Sequence, residues 1–193
     1  MVALASLPQT TQLKSGTNVT LRPMTAGDAE AMLAFARKLP ADDVLFLRSD
    51  ITQPEGIAYW VANIEQETTI TVVAETPEGI AGYASVHRNP ARWTRRIGEL
   101  RVNVGAAHRG SGLGRLLVST IVDVAGSLGL KKLSAQMTID QDAARKVFGH
   151  LGFQVEAILG DWVEDAGGRS RDLIVMAYDL EGLTDRLDEP VHA

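Results

Sequence analysis

The stretch "GELRVNVGAAHRGSGLGRLLV", Gly98 to Val118, decides how this 193-residue chain is read. An alternating run ends at Val104, small residues follow, and apolar residues then recur at helical spacing. Gly110, Gly112 and Gly114 crowd the start of that helix, although bare backbone costs chain entropy. The first amides of a helix have no internal partner and carry the positive end of its dipole. Glycine lets an anion approach them closely. Arg109 and Arg115 bracket the turn with fixed positive charge, so the stretch suits a phosphate or pyrophosphate. It is not a Walker A loop, because Gly114 is followed by Arg115 and not by Lys and Ser or Thr. Nor is it the dinucleotide fingerprint, which follows a first strand with the spacing Gly-x-Gly-x-x-Gly.

Strands and helices alternate on both sides of this turn. Thr17 to Pro23 reads as a strand. Thr25 and Asp28 make a cap-like start to a helix over "AEAMLAFARKL", which Pro40 ends. Thr52 to Glu55 has a capping-box pattern with Pro54 in the first turn, leading into "GIAYWVANI". "TTITVVAE" and "IAGYASVHR" flank the turn "TPEG" and predict a hairpin. "RIGELRVNV" is the next strand. In the following helix Leu113, Leu116, Leu117, Ile121, Val124 and Leu128 share a face, and Gly129 stops it. "KKLSAQMT" predicts a short strand, and "QDAARKVFGHLG" a short helix with Ala144, Val147, Phe148 and Leu151 on one stripe. "FQVEAILGDWVE" and "SRDLIVMAYDL" flank "DAGG" as a closing hairpin. The expectation is one mixed α/β (α+β) domain over residues 17–180, behind a flexible leader (1–16) and ahead of a C-terminal tail (181–193).

Composition narrows the function. Hydrophobic residues make up 45% of the chain, enough for a real core. There is no cysteine, which excludes disulfides, thiolate catalysis and Cys-based zinc sites. His87, His108, His150 and His192 show no metal-ligand spacing, so no metal is expected. The net charge of −5 comes without a basic run, so nucleic acid is not an expected partner, while cationic or lysine-bearing molecules suit the charge. No apolar stretch approaches a membrane span and the N-terminus lacks signal-peptide features, so no membrane association and a cytoplasmic location are expected.

Residues 98–118 resemble the acetyl-CoA-binding core of the GCN5-related N-acetyltransferase (GNAT) family, whose signature Arg-x-x-Gly-x-Gly is matched by "RGSGLG". "DQDAARKVFGHLGF" resembles that family's next segment, Asn-x-x-Ala-x-x-x-Tyr-x-x-x-Gly-Phe. Gln141 takes the Asn place, Ala144 matches, and Phe148 takes the Tyr place. The resemblance implies a mostly antiparallel sheet of about seven strands with about four helices and splayed central strands. It implies that backbone around Val102, Asn103 and Val104 pairs with the pantetheine arm as an added strand. Amides from Arg109 through Gly110, Ser111, Gly112, Leu113 and Gly114 to Arg115 would hold the pyrophosphate, with Gln141 and Phe148 completing the cofactor set. It implies direct transfer of acetyl from acetyl-CoA to a primary amine, on a protein or a small molecule, by a monomer or homodimer. A catalytically weak CoA-binding sensor is the alternative, because Phe148 has no hydroxyl to protonate the leaving thiolate.

Direct attack needs a free amine, and a lysine-like amine is protonated at neutral pH. Glu99 stands where family members that use a strand glutamate as base often carry it. Its apolar neighbours Ile97 and Leu100 suggest a raised pKa, which suits a base. The competing reading is a strand carboxylate paired with Arg101 or Arg96. Tyr83, Tyr178, His87 and His150 are candidate acids, unranked by sequence. His108 reads as a loop residue near phosphate. "DDVLFLRSD" (Asp42 to Asp50), with Arg48, resembles the loop of bacterial GNAT domains that acetylate protein lysines, where an Arg follows the first helix, and Asp42, Asp43 and Asp50 suit a cationic acceptor. Trp60, Trp93 and Trp162 are candidate walls of the acceptor groove.

Overall fold

The sheet grows outward from the expected hairpin. Strands β3 (Thr69–Thr76) and β4 (Gly79–Arg88) pair antiparallel around the "TPEG" turn, with a bulge at Ala74/Glu75. This computed structural model describes residues 4–44 and 47–181. On one side β2 (Asn18–Pro23) and then β1 (Gln9–Gln12) extend the sheet. On the other follow β5 (Ile97–Val104), β6 (Lys132–Thr138), β8 (Ser170–Asp179) and β7 (Gln154–Glu164). The order is β1-β2-β3-β4-β5-β6-β8-β7, and β5–β6 is its one parallel pair.

The helices cover both faces. Helix α4 (Leu113–Ser127) packs Leu113, Leu117, Ile121 and Val124 against Val72, Val86, Leu100 and Leu133. On the opposite face α1 (Ala29–Ala36) and α3 (Pro54–Glu65) bury Met32, Phe35, Ile57 and Trp60 against Val73 and Tyr83. Helix α5 (Asp142–His150) presents Phe148 to the α4 side. None of the helices among the described residues is long and apolar enough to cross a membrane.

Three details differ from the sequence reading. The expected loose leader holds β1, whose register Gln9↔Leu21 to Gln12↔Asn18 makes it the edge of the sheet. Its four residues "QTTQ" lack apolar alternation because both faces of this edge are largely wet. A short α2 (Ala41–Val44) adds to the helices, giving eight strands and five α-helices among the described residues. The capping box at Thr52 does not form. Gln53 is the N-cap, and the Thr52 hydroxyl binds Asp50 instead. The expected tail beyond Glu181, with His192, lies outside the described residues, as do Leu45 and Phe46 of the Asp42–Asp50 loop.

Candidate active site

β5 and β6 share only four residue pairs, Ile97↔Lys132 to Leu100↔Ala135. Both strands run on beyond these, β5 held by β4 and β6 by β8. Their inner edges therefore part, and a ladder edge without a partner offers free N–H and C=O groups. A cleft of about 690 Å³ opens there. One wall is Arg101 to Val104, the other Gln136 and Met137, and its closed end is the Gly-rich turn into α4.

That turn is shaped by its glycines. Gly110 and Gly112 have φ of +73° and +90°, the left-handed region that favours glycine. Gly112 caps α4, and the first helical bond runs from Leu116 N–H to the Gly112 carbonyl at 3.1 Å. The amides of Leu113, Gly114 and Arg115 thus stand ahead of the helical ladder. His108, Arg109, Gly110, Gly112, Gly114 and Arg115 line the cleft. The Leu113 side chain is instead fully buried in the core, and the Ser111 hydroxyl binds the His108 carbonyl at 2.6 Å. These two face the turn only through backbone. Gln141 lines the cleft while its side chain accepts the Thr138 amide at 3.2 Å. Phe148 does two jobs: it packs edge-on against Phe153, ring centroids 4.9 Å apart, and shows part of its surface to the cleft.

A smaller pocket adjoins the cleft through Arg101 and Leu47, which line both. Arg48, Tyr59, Trp60, Tyr83 and His87 form most of the rest of its wall. Glu99 sits beside this junction. It receives Arg48 Nη2 at 2.6 Å and pairs with Arg101 through its other oxygen. Burial pushes the Glu99 carboxyl up, but Arg101 and Arg48 outweigh burial and hold it below its usual value. The expected raised pKa is therefore corrected: apolar sequence neighbours said nothing of two guanidinium groups brought from β5 and from the segment after α2. Of the two expected ion-pair partners, Arg101 is the real one, because residues two apart on a strand share a face.

The candidate acids now separate. Tyr83 lies in the small pocket, accepts Asn103 Nδ2 at 2.9 Å, and is pushed by burial to a pKa of about 12. His87 is opposite Glu99 in the β4–β5 register, and its Nδ1 lies 2.9 Å from the Thr69 hydroxyl. Tyr178 packs behind Phe153, and His150 is exposed at the end of α5. Trp60 walls the pocket with Nε1 donating to Thr71 at 3.0 Å, whereas Trp93 and Trp162 are exposed elsewhere. The acids of the Asp42–Asp50 loop do not gather as an acceptor subsite. Asp43 pairs with Arg109, and Asp50 accepts from the amide and hydroxyl of Thr52. Among the described residues no group of His, Asp or Glu is arranged to hold a metal.

Sequence reasoning underread two basic residues and missed a third. Arg48 was seen only as the arginine of the acceptor loop, yet it reaches Glu99 from 51 positions away. Arg101 was seen only as a partner for Glu99, not as a residue shared by both cavities. Lys14 follows β1, donates its amide to the Ser111 carbonyl at 3.3 Å, and lies against Gly112.

The sequence model of the acetyltransferase (GNAT) family matches residues 33–153. The chain belongs to the acetyltransferase (GNAT) family. No curated protein matches it significantly. Among solved structures, yncA from Salmonella typhimurium, determined with its cofactor acetyl-CoA, is 25% identical with a TM-score of 0.74, covering 92% of this chain and 100% of that one. The ribosomal-protein-alanine N-acetyltransferase of Brucella melitensis is 26% identical with a TM-score of 0.71, over 82% of this chain and 98% of that one. An acetyltransferase of the GNAT family from Streptococcus pneumoniae, 21% identical with a TM-score of 0.73 over 83% and 99%, shares the fold. In this GNAT acetyltransferase the cleft opens between β5 and β6, and the neighbouring pocket adjoins it through Leu47 and Arg101.

Proposed function

We propose that this GNAT acetyltransferase binds acetyl-CoA in the β5–β6 cleft and transfers the acetyl group directly to a primary amine. The observation that carries the reading is the parting of β5 from β6 beside a helix N-terminus freed of side chains. The residues fit the ligand. Inner-edge backbone of Val102, Asn103 and Val104 suits an extended pantetheine amide chain. The amides of the Arg109–Arg115 turn, with the two arginines, suit a pyrophosphate. A Cβ at Gly110 would meet nothing within 4 Å, so the space above the turn is open to a ligand. Lys14 adds a cation beside Gly112. Gln141 and Phe148 close the far wall.

When bound, acetyl-CoA supplies a thioester whose leaving thiolate has a thiol pKa near 8.5, low enough to depart without a dedicated acid. Phe148 in the usual Tyr place then costs little. Glu99 takes the proton of the attacking amine. Its lowered pKa keeps it ionised at neutral pH, and nitrogen becomes more acidic as it forms the new bond to carbon, so a weak base suffices. Tyr83 keeps its proton and holds Asn103 in place.

The test is CoA release from acetyl-CoA with a panel of amines: amino acids, spermidine and lysine peptides. Turnover with at least one is expected. With that amine, Glu99→Gln lowers kcat roughly 10²–10⁴-fold at neutral pH, leaves CoA affinity unchanged, and recovers in part as pH rises and hydroxide takes the proton of the attacking nitrogen instead. Tight CoA binding without release by any amine would instead favour the sensor reading.

A further inference from the structure

The acceptor side of the junction carries two cations and, among the described residues of its wall, no acid. Arg48 and Arg101 both line the small pocket against Trp60 and Tyr83. The nearest carboxylate, Glu99, lies outside that wall and is shared by both arginines. Two positive charges thus meet one negative charge; Asp43, whose charge also reaches Tyr83, is itself paired with Arg109, so the remainder is positive. His87 adds no charge at neutral pH.

Donors are also left over. Arg101 gives Nη1 to the Gln136 carbonyl at 3.2 Å and Nη2 to Glu99, but its buried Nε has no partner among the described residues. A buried N–H without an acceptor is rare in native structures and asks for a missing partner. The one hydrogen bond of Arg48 among the described residues is to Glu99, and nearly half of its side chain is exposed. The innermost space is about 40 Å³, room for a carboxylate, and the pocket opens from there to solvent.

Resting on the acetyl-transfer reading above, we propose that Arg48 and Arg101 form an anion subsite and that the acceptor is a small primary amine carrying a carboxylate. A carboxylate matches the guanidinium fork in shape and charge. Its size fits the innermost space. Arg101 borders the cofactor cleft as well, so an amine a few bonds from a carboxylate seated there points toward the end of the open β5 edge. A polyamine would instead bring a second ammonium beside two arginines, a like-charge contact that selects against it. The overall acidity of the chain therefore misleads about its acceptor, because the local charge at the pocket has the opposite sign.

The test is calorimetric titration in saturating CoA with four amino acids of different side chain, their carboxamides, spermidine, and a lysine peptide with glutamate neighbours. At least one acid binds about tenfold or more tightly than its amide, the usual worth of a charge-assisted pair. Arg48→Gln brings that ratio close to one, while Arg48→Lys keeps part of it. The subsite is overturned if no acid binds, if the amides, spermidine or the peptide match or exceed every acid, or if the ratio survives in Arg48→Gln. Selective acid binding with no CoA release from any amine would leave the subsite standing and remove the transfer reading. Turnover of spermidine without acid selectivity would do the reverse.

Discussion

Glu99 and His87 face each other across β5 and β4, and the same two arginines lower the pKa of both. The two arginines keep Glu99 ionised. Burial, aided by Arg48 and Arg101 and opposed by Glu99, lowers the His87 pKa from 6.5 to about 4. The sign of the stability effect follows. A histidine depressed in the folded state is protonated first in the unfolded chain, so its contribution is complete above pH 6.5 and is lost as pH falls toward 4. Between pH 7 and pH 5 the loss amounts to about 2 kcal/mol. His87→Gln should remove that slope: in urea titrations the unfolding free energy of the wild type relative to the variant should be about 2 kcal/mol lower at pH 5 than at pH 7. Parallel pH dependence would mean that the folded protein accommodates the imidazolium. At this scale the sequence showed Glu99 and its i, i+2 neighbour Arg101, because strand periodicity puts them on one face. It showed Arg48 in the acceptor loop but not that this loop brings it to Glu99, and so it misjudged the Glu99 pKa.

Among the elements, the most constrained is the brief parallel contact of β5 with β6. Gly98 lies inside it, paired with Leu133. A Cβ there would stand 2.5 Å from Val86 Cγ2 and 2.9 Å from Leu130 Cδ1 and Leu133 Cδ2. Gly98→Ala should therefore destabilise by about 1–3 kcal/mol, the range for overpacking a filled core. The measurement is a lower urea midpoint at unchanged slope. A change below about 0.5 kcal/mol would show that Val86 can turn away, since surface-like effects lie in that range. Elements with a buried face were legible: α4 shows its stripe and both hairpins show their turns. β1 was not, because an edge strand wet on both faces has no alternation to read. α2 is a single turn with no apolar stripe of its own. The glycine turn after β5 was legible as a helix start freed of side chains from its glycine spacing, but Lys14 entered it only through the unread β1.

Across the whole molecule, the sheet is two blocks, β1–β5 and β6–β8, sharing a ladder of four residue pairs above α4. The topology of the blocks followed from strand order and resemblance, while the depth of their parting is a register fact that no sequence pattern displays. A ligand lying in the cleft touches both blocks and the α4 N-terminus at once, so its binding energy adds to the cohesion of the fold. At CoA concentrations near 100 times Kd, linkage adds about 2.7 kcal/mol to stability. For a domain of this size that should raise Tm by about 5–10 °C. The control is Gly114→Asp. A Cβ at Gly114 meets only Val104 Cγ2, at 3.7 Å, and unlike Gly112 this glycine does not have a left-handed φ. An acidic side chain in the first turn of α4 also favours the helix dipole. The variant should thus fold with an unchanged or slightly higher Tm, yet place a negative charge where the pyrophosphate belongs. CoA should then shift its Tm by less than about 1 °C, whatever the concentration effect in the wild type. Equal CoA shifts in the two proteins would place the phosphates away from the glycine turn and leave the cleft without its anchor.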